Sequence, residues 1–77
     1  MDRKGLHELR PGEKGTIVKI GGVGGVHRRL LDMGLVSGSE VEVERVAPLG
    51  DPIEVRIKGY HLSLRKEEAS DIQVEMQ

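Results

Sequence analysis

The run SEVEVERV, residues 39–46, sets Val41 and Val43 against Glu40, Glu42 and Glu44 in strict alternation. A period of two is the signature of a strand with one dry face and one wet face. The next segment, APLGDP, places Pro48, Gly50 and Pro52 so close together that no ladder can run through it, which predicts an exposed connection. Alternation then resumes. Ile53, Val55 and Ile57 face one way, and Glu54, Arg56 and Lys58 face the other, where the bases can meet the glutamates of the preceding strand. Lys58-Gly59 turns the chain again, and Tyr60, Leu62 and Leu64 alternate with His61, Ser63 and Arg65 to predict a second hairpin.

Toward the N-terminus, GTIVKI at residues 15–20 is rich in β-branched residues and bounded by glycines, so it reads as the first strand. Leu6 and Leu9, further upstream, are placed to tuck under the sheet. Between the first strand and SEVEVERV the period changes: Val26, Leu30 and Met33 fall on one helical face, and Gly34 sits where a helix commonly ends in the left-handed conformation. Ser37-Gly38 supplies a turn. At the C-terminus, Glu67, Glu68 and Ala69 suit a single helical turn, after which Ile72, Val74 and Met76 alternate as a last strand. Short one-sided antiparallel strands must bury their apolar faces against one another. The expectation is a mainly β fold: a small SH3-like partly open barrel of about five antiparallel strands, with one short helix between the first and second, forming a single domain over residues 1–77. An OB-fold ranks second, because its helix normally lies between the third and fourth strands.

The bulk composition narrows function. Seventy-seven residues support one compact core. With 36% hydrophobic and 32% charged residues, the chain has too much core material for disorder and too much charge for a membrane segment. It has no Phe, no Trp and one Tyr, so the core is aliphatic. Twelve basic against 13 acidic residues give a net charge of -1, which offers no global attraction to nucleic acid or anionic lipid. The absence of cysteine excludes disulfides, thiolate zinc sites and cysteine nucleophiles. The charged opening MDRKGLHELRPGEK lacks the apolar core of a signal peptide, so the cytoplasm is the expected location.

Individual motifs point away from chemistry. The GGVGG cluster at residues 21–25 invites a phosphate-loop reading, but neither a Walker ending nor GxGxxG spacing is present. Its GxxG string follows a strand rather than the helix of a KH clamp, and stacking aromatics are missing, so RNA binding stands only as an alternative function. His7, His27 and His61 are widely separated, with no i, i+4 partner of metal-ligand type, and solvated histidine is the reading they support. Glu40, Glu42 and Glu44 form a row on a wet face rather than a catalytic pair. No serine has a nucleophile context and no cofactor motif is present, so a non-enzymatic protein is expected, with no catalytic residue, no metal ligand set and no cofactor.

RRLLDMGLVSG, beginning at residue 28, differs in being leucine-rich beyond the needs of one short apolar stripe. Arg28, Arg29, Leu31 and Leu35, with Leu49 in the proline loop, combine positive anchors with apolar residues that periodicity does not assign to the core. They form the expected partner-binding face. The competing reading for Arg29 is a structural ion pair with an internal carboxylate.

The order LRPGEKG, then RRLLDMGLVSGSEVEVERVAPLGDPIEVRIKGYHLSLRKEEASDIQV, resembles the FeoA family across nearly the whole chain. The most specific part is Arg29-Leu30, the Met33-Gly34-Leu35 corner, Gly38, the loop from Pro48 to Pro52, and the run from Leu64-Arg65 to Ala69. GGVGG departs from that pattern in being richer in glycine than the usual link before the helix. The resemblance implies an SH3-like barrel. It also implies a cytoplasmic adaptor in bacterial ferrous iron uptake, whose partner is the ferrous iron membrane transporter with its guanine-nucleotide-binding domain. A related domain ends the iron-dependent transcriptional repressors, so the resemblance also allows a metal-responsive regulatory role.

Overall fold

The structure, a computed structural model, describes residues 2–22 and 25–77. Val23 and Gly24 of the GGVGG cluster, and with them the phosphate-loop and GxxG readings, lie outside the described residues. The elements are β1 (Arg3–Gly5), a 3-10 turn (Leu6–Glu8), β2 (Lys14–Ile20), α1 (Gly25–Asp32), β3 (Glu40–Val46), β4 (Ile53–Ile57), β5 (Tyr60–Leu64), α2 (Lys66–Ser70) and β6 (Ile72–Met76). All pairings are antiparallel, in the order β1-β6-β2-β3-β4-β5.

Two bulges bend this sheet on itself. In β3 the register shifts between Val43 and Arg45, which is where the sequence itself slips from alternation, Val43 being followed by Glu44, Arg45 and then Val46. In β2 the shift falls between Ile17 and Lys19. An extra residue in one strand increases local twist and bends the ladder. The result is a curled, incomplete barrel whose interior holds Ile17, Val41, Val43, Val55, Ile57 and Val74, all 1% exposed or less. Leu6 and Leu9 close it from below, as expected from the sequence, and Ile72, Ala69 and Leu64 complete the wall. Close packing of β2 on β6 requires Gly15, where a Cβ would sit 2.9 Å from the Glu75 carbonyl oxygen.

The described residues form six strands where alternation gave about five. The extra one, β1, is three residues long and pairs Arg3, Lys4 and Gly5 with Glu75, Val74 and Gln73. Its two charged side chains and glycine carry no period, because its role is to cover the outer side of β6 with backbone hydrogen bonds. The predicted helical turn at Glu67 to Ala69 extends to the five residues of α2. Glutamates reach back three residues to a free backbone N–H at three corners: Glu8 to Gly5 at 2.9 Å, Glu13 to Arg10 at 2.7 Å and Glu68 to Arg65 at 2.8 Å. Each satisfies a donor that a turn or helix start leaves open.

Candidate partner-docking face

The end of α1 fixes which of the predicted residues can reach a partner. Gly34 has φ of +93°; the Gly34 N–H donates to the Leu31 carbonyl at 3.0 Å, and the Leu35 N–H to the Leu30 carbonyl at 3.2 Å. This is a Schellman motif, which brings the residue after the glycine against the residue three before the helix end. Those two are Leu35 and Leu30, and both are fully buried. Leu35 was expected on the partner face, and the structure places it in the core instead. The signal was present in the sequence as a leucine directly after a C-terminal glycine, but periodicity within the helix does not register it.

Arg29 also has structural work. Its guanidinium lies 3.1 Å from Glu68, whose side chain is 5% exposed, while Arg29 itself is 62% exposed. One Glu68 oxygen accepts from the Arg65 N–H and the other faces Arg29, so the buried carboxylate is both hydrogen-bonded and neutralised. This is the competing reading named for Arg29, and it ties α1 to α2. Asp51 in the proline loop accepts from the Lys66 N–H at 3.1 Å, tying that loop to the start of α2. Helix, loop and α2 thereby surround an open cleft of about 400 Å³ lined by Arg29, Asp51, Pro52, Ser63, Leu64, Arg65 and Glu68.

Four of the five predicted residues remain as surface, Arg29 among them. Leu49 is 94% exposed at the tip of the loop, Leu31 is 42% exposed on α1, and Arg28 is exposed beside it. Tyr60, half exposed, was predicted on the dry face but stands at the sheet margin, its hydroxyl 3.1 Å from where a Cβ on Gly34 would be. Sequence alternation missed it as a surface residue because the strand begins there, beyond the cover of the neighbouring elements.

The histidines do not converge. His27 Nδ1 lies 3.1 Å from the Gly21 carbonyl and donates to it, pinning α1 to the end of β2. His61 Nδ1 meets Glu44 at 2.6 Å on the wet face, and His7 lies by the 3-10 turn with Nδ1 buried and unpartnered. Among the described residues no group of three His, Cys, Asp or Glu side chains could hold a metal ion. The glutamate row is engaged across strands, with Glu42 on Arg56 at 2.7 Å and Glu40 on Gln77 at 2.6 Å. Among the described residues no helix is long and apolar enough to cross a membrane.

A small antiparallel sheet curled into an incomplete barrel is the architecture of the SH3-like barrels. The solved FeoA of Stenotrophomonas maltophilia, complexed with zinc, is described as an SH3 domain protein and a candidate ferrous iron transport activating factor. It is 27% identical with a TM-score of 0.80, covering 91% of this chain and 87% of that one. The model of the FeoA domain matches residues 4–76, and the chain belongs to the FeoA family. The FeoA-like protein of Clostridium acetobutylicum is 45% identical with a TM-score of 0.90, over 99% of this chain and 88% of that one. A Porphyromonas gingivalis protein, an Fe(2+) transport protein A/Fe(2+) transporter FeoB fusion, is 44% identical over 71 residues. That match takes in 92% of this chain but only 8% of the fusion protein.

Proposed function

We propose that this chain is a non-catalytic cytoplasmic regulator of bacterial ferrous iron uptake that acts by docking onto the cytosolic part of the ferrous iron transporter. The observation that carries this reading is the P. gingivalis fusion, in which a segment 44% identical to this chain belongs to one polypeptide with an Fe(2+) transporter. A fused pair has its effective concentration set by the link, and wherever the two are not linked a binding surface has to take over that work. Arg28, Leu31 and Leu49 supply such a surface here: one exposed cation and two exposed leucines, of the kind that anchor interfaces. Arg29, exposed and held by Glu68, adds a second cation, and Leu35 has no part in it beyond holding the helix corner.

Calorimetric titration of the chain with the transporter's cytosolic portion tests the proposal, with and without guanine nucleotide. Saturable binding that Leu49→Ala weakens about tenfold is expected, as for truncation of an interface anchor. No heat under either nucleotide condition would contradict it.

A further inference from the structure

The β5 edge is paired on one side only. The Lys58-Gly59 turn has positive φ at both positions, 52° and 86°, so Ile57 and Tyr60 close the hairpin as a hydrogen-bonded pair. Alternation then gives Leu62 and Leu64 to β4 and turns the N–H and C=O groups of His61 and Ser63 outward. Among the described residues, neither His61 nor Ser63 has another backbone partner. Ser63 and Leu64 also line the 400 Å³ cleft that runs to Arg29 and Arg65.

The carboxylates nearest that edge are engaged, Glu44 by His61 and Glu54, opposite Ser63, by Arg45. Asp51 and Glu68 are both engaged, by the Lys66 N–H and by the Arg65 N–H and Arg29 respectively. Arg65 is exposed, and among the described residues its side chain has no ion pair. On the concave side of β5, Leu62 is partly buried and Tyr60 half exposed, leaving apolar surface beside the open backbone groups.

We propose that β5 is a strand-addition site for an extended acidic segment of another protein. The segment pairs antiparallel with β5 through His61 and Ser63, sets an apolar side chain against Leu62 and Tyr60, and directs a carboxylate to Arg65. Backbone pairing supplies affinity and alternate side chains supply selectivity. A second copy of this chain fits poorly. A two-fold pairing centred on Leu62 brings the Lys58 turn of each copy alongside Arg65 and Lys66 of the other, and the other open edge, β1, offers Arg3 and Lys4. Like charges brought alongside one another are unfavourable. The inference rests on the reading that this chain works by docking, and it names the kind of segment docked.

The test uses the isotope-labelled full chain with two short synthetic peptides, one alternating valine with glutamate and one alternating valine with lysine. Before peptide is added, the His61 and Ser63 amides exchange with solvent faster than those of Leu62 and Leu64. The glutamate peptide slows their exchange and shifts residues 61–65 saturably, and the lysine peptide does neither. Arg65→Glu weakens glutamate-peptide binding about tenfold. Ser63→Pro removes one outward donor at an edge position where proline is tolerated, and abolishes the protection; should it misfold, Arg65→Glu carries the test alone. Equal response to both peptides, shifts confined elsewhere, or concentration-dependent protection of the same amides without peptide would overturn the proposal. Adding the transporter's cytosolic portion separates the two levels. Binding there with β5 unchanged by either ligand defeats the strand-addition site and leaves docking intact. Binding of the glutamate peptide at β5 with silence from the transporter portion supports the site and defeats the transporter reading.

Discussion

The Arg29 guanidinium lies 3.1 Å from the Glu68 carboxylate, an exposed cation closing over a buried anion. The pair joins a helix that leaves the sheet early to one that returns near the end. Breaking a buried pair by removing one partner costs about 3–5 kcal/mol, and because Arg29 is open to water the cost here is reduced to about 1–2 kcal/mol. Arg29→Met lowers unfolding free energy by that amount, and in a double-mutant cycle with Glu68→Met the two losses are not additive. Denaturant titration of the four proteins checks this; additive losses would remove the pair from the account.

Leu35 and Leu49 respond in opposite ways. Leu35→Ala opens a cavity beneath the α1 corner and costs about 2–5 kcal/mol. Leu49→Ala changes stability by no more than about 0.5 kcal/mol, because the side chain is exposed. Thermal unfolding of both variants, alongside transporter binding, separates the residue that holds the helix corner from the residue offered to the partner.

Gly34→Ala strains the chain twice, by the left-handed φ of +93° and by bringing a methyl to 3.1 Å from the Tyr60 hydroxyl. The expected loss is about 1–2 kcal/mol. Tyr60→Phe in the same background recovers part of it by removing the crowded oxygen, while the backbone part stays. Full recovery would show that the backbone conformation costs nothing.

Strands β3 and β4 were legible because each buries one face only, so Val41, Val43, Ile53, Val55 and Ile57 stand out at period two. β1 was not legible, since Arg3, Lys4 and Gly5 contribute backbone pairing and little side-chain burial. The candidate face was read in part. Arg28, Arg29, Leu31 and Leu49 are exposed as expected, but the Schellman contact draws Leu35 inward and a carboxylate distant in sequence holds the Arg29 side chain. Both outcomes depend on contacts between segments, which local periodicity does not encode.

Arg28 is the cleaner electrostatic probe of the face, because Arg29→Glu would set a second carboxylate beside Glu68 and mix stability with binding. Arg28→Glu keeps the unfolding free energy within about 0.5 kcal/mol of the parent and weakens transporter binding, most strongly at low salt. Salt-independent loss of affinity would indicate a packing role instead.

The most direct test of docking is an amide-shift titration of the isotope-labelled chain with the cytosolic portion of the ferrous iron transporter. The account predicts saturable shifts centred on Arg28, Leu31 and Leu49, with the interior of β2 and β3 unmoved. Saturable shifts that leave all three residues unchanged, or none at any concentration with or without guanine nucleotide, would contradict it.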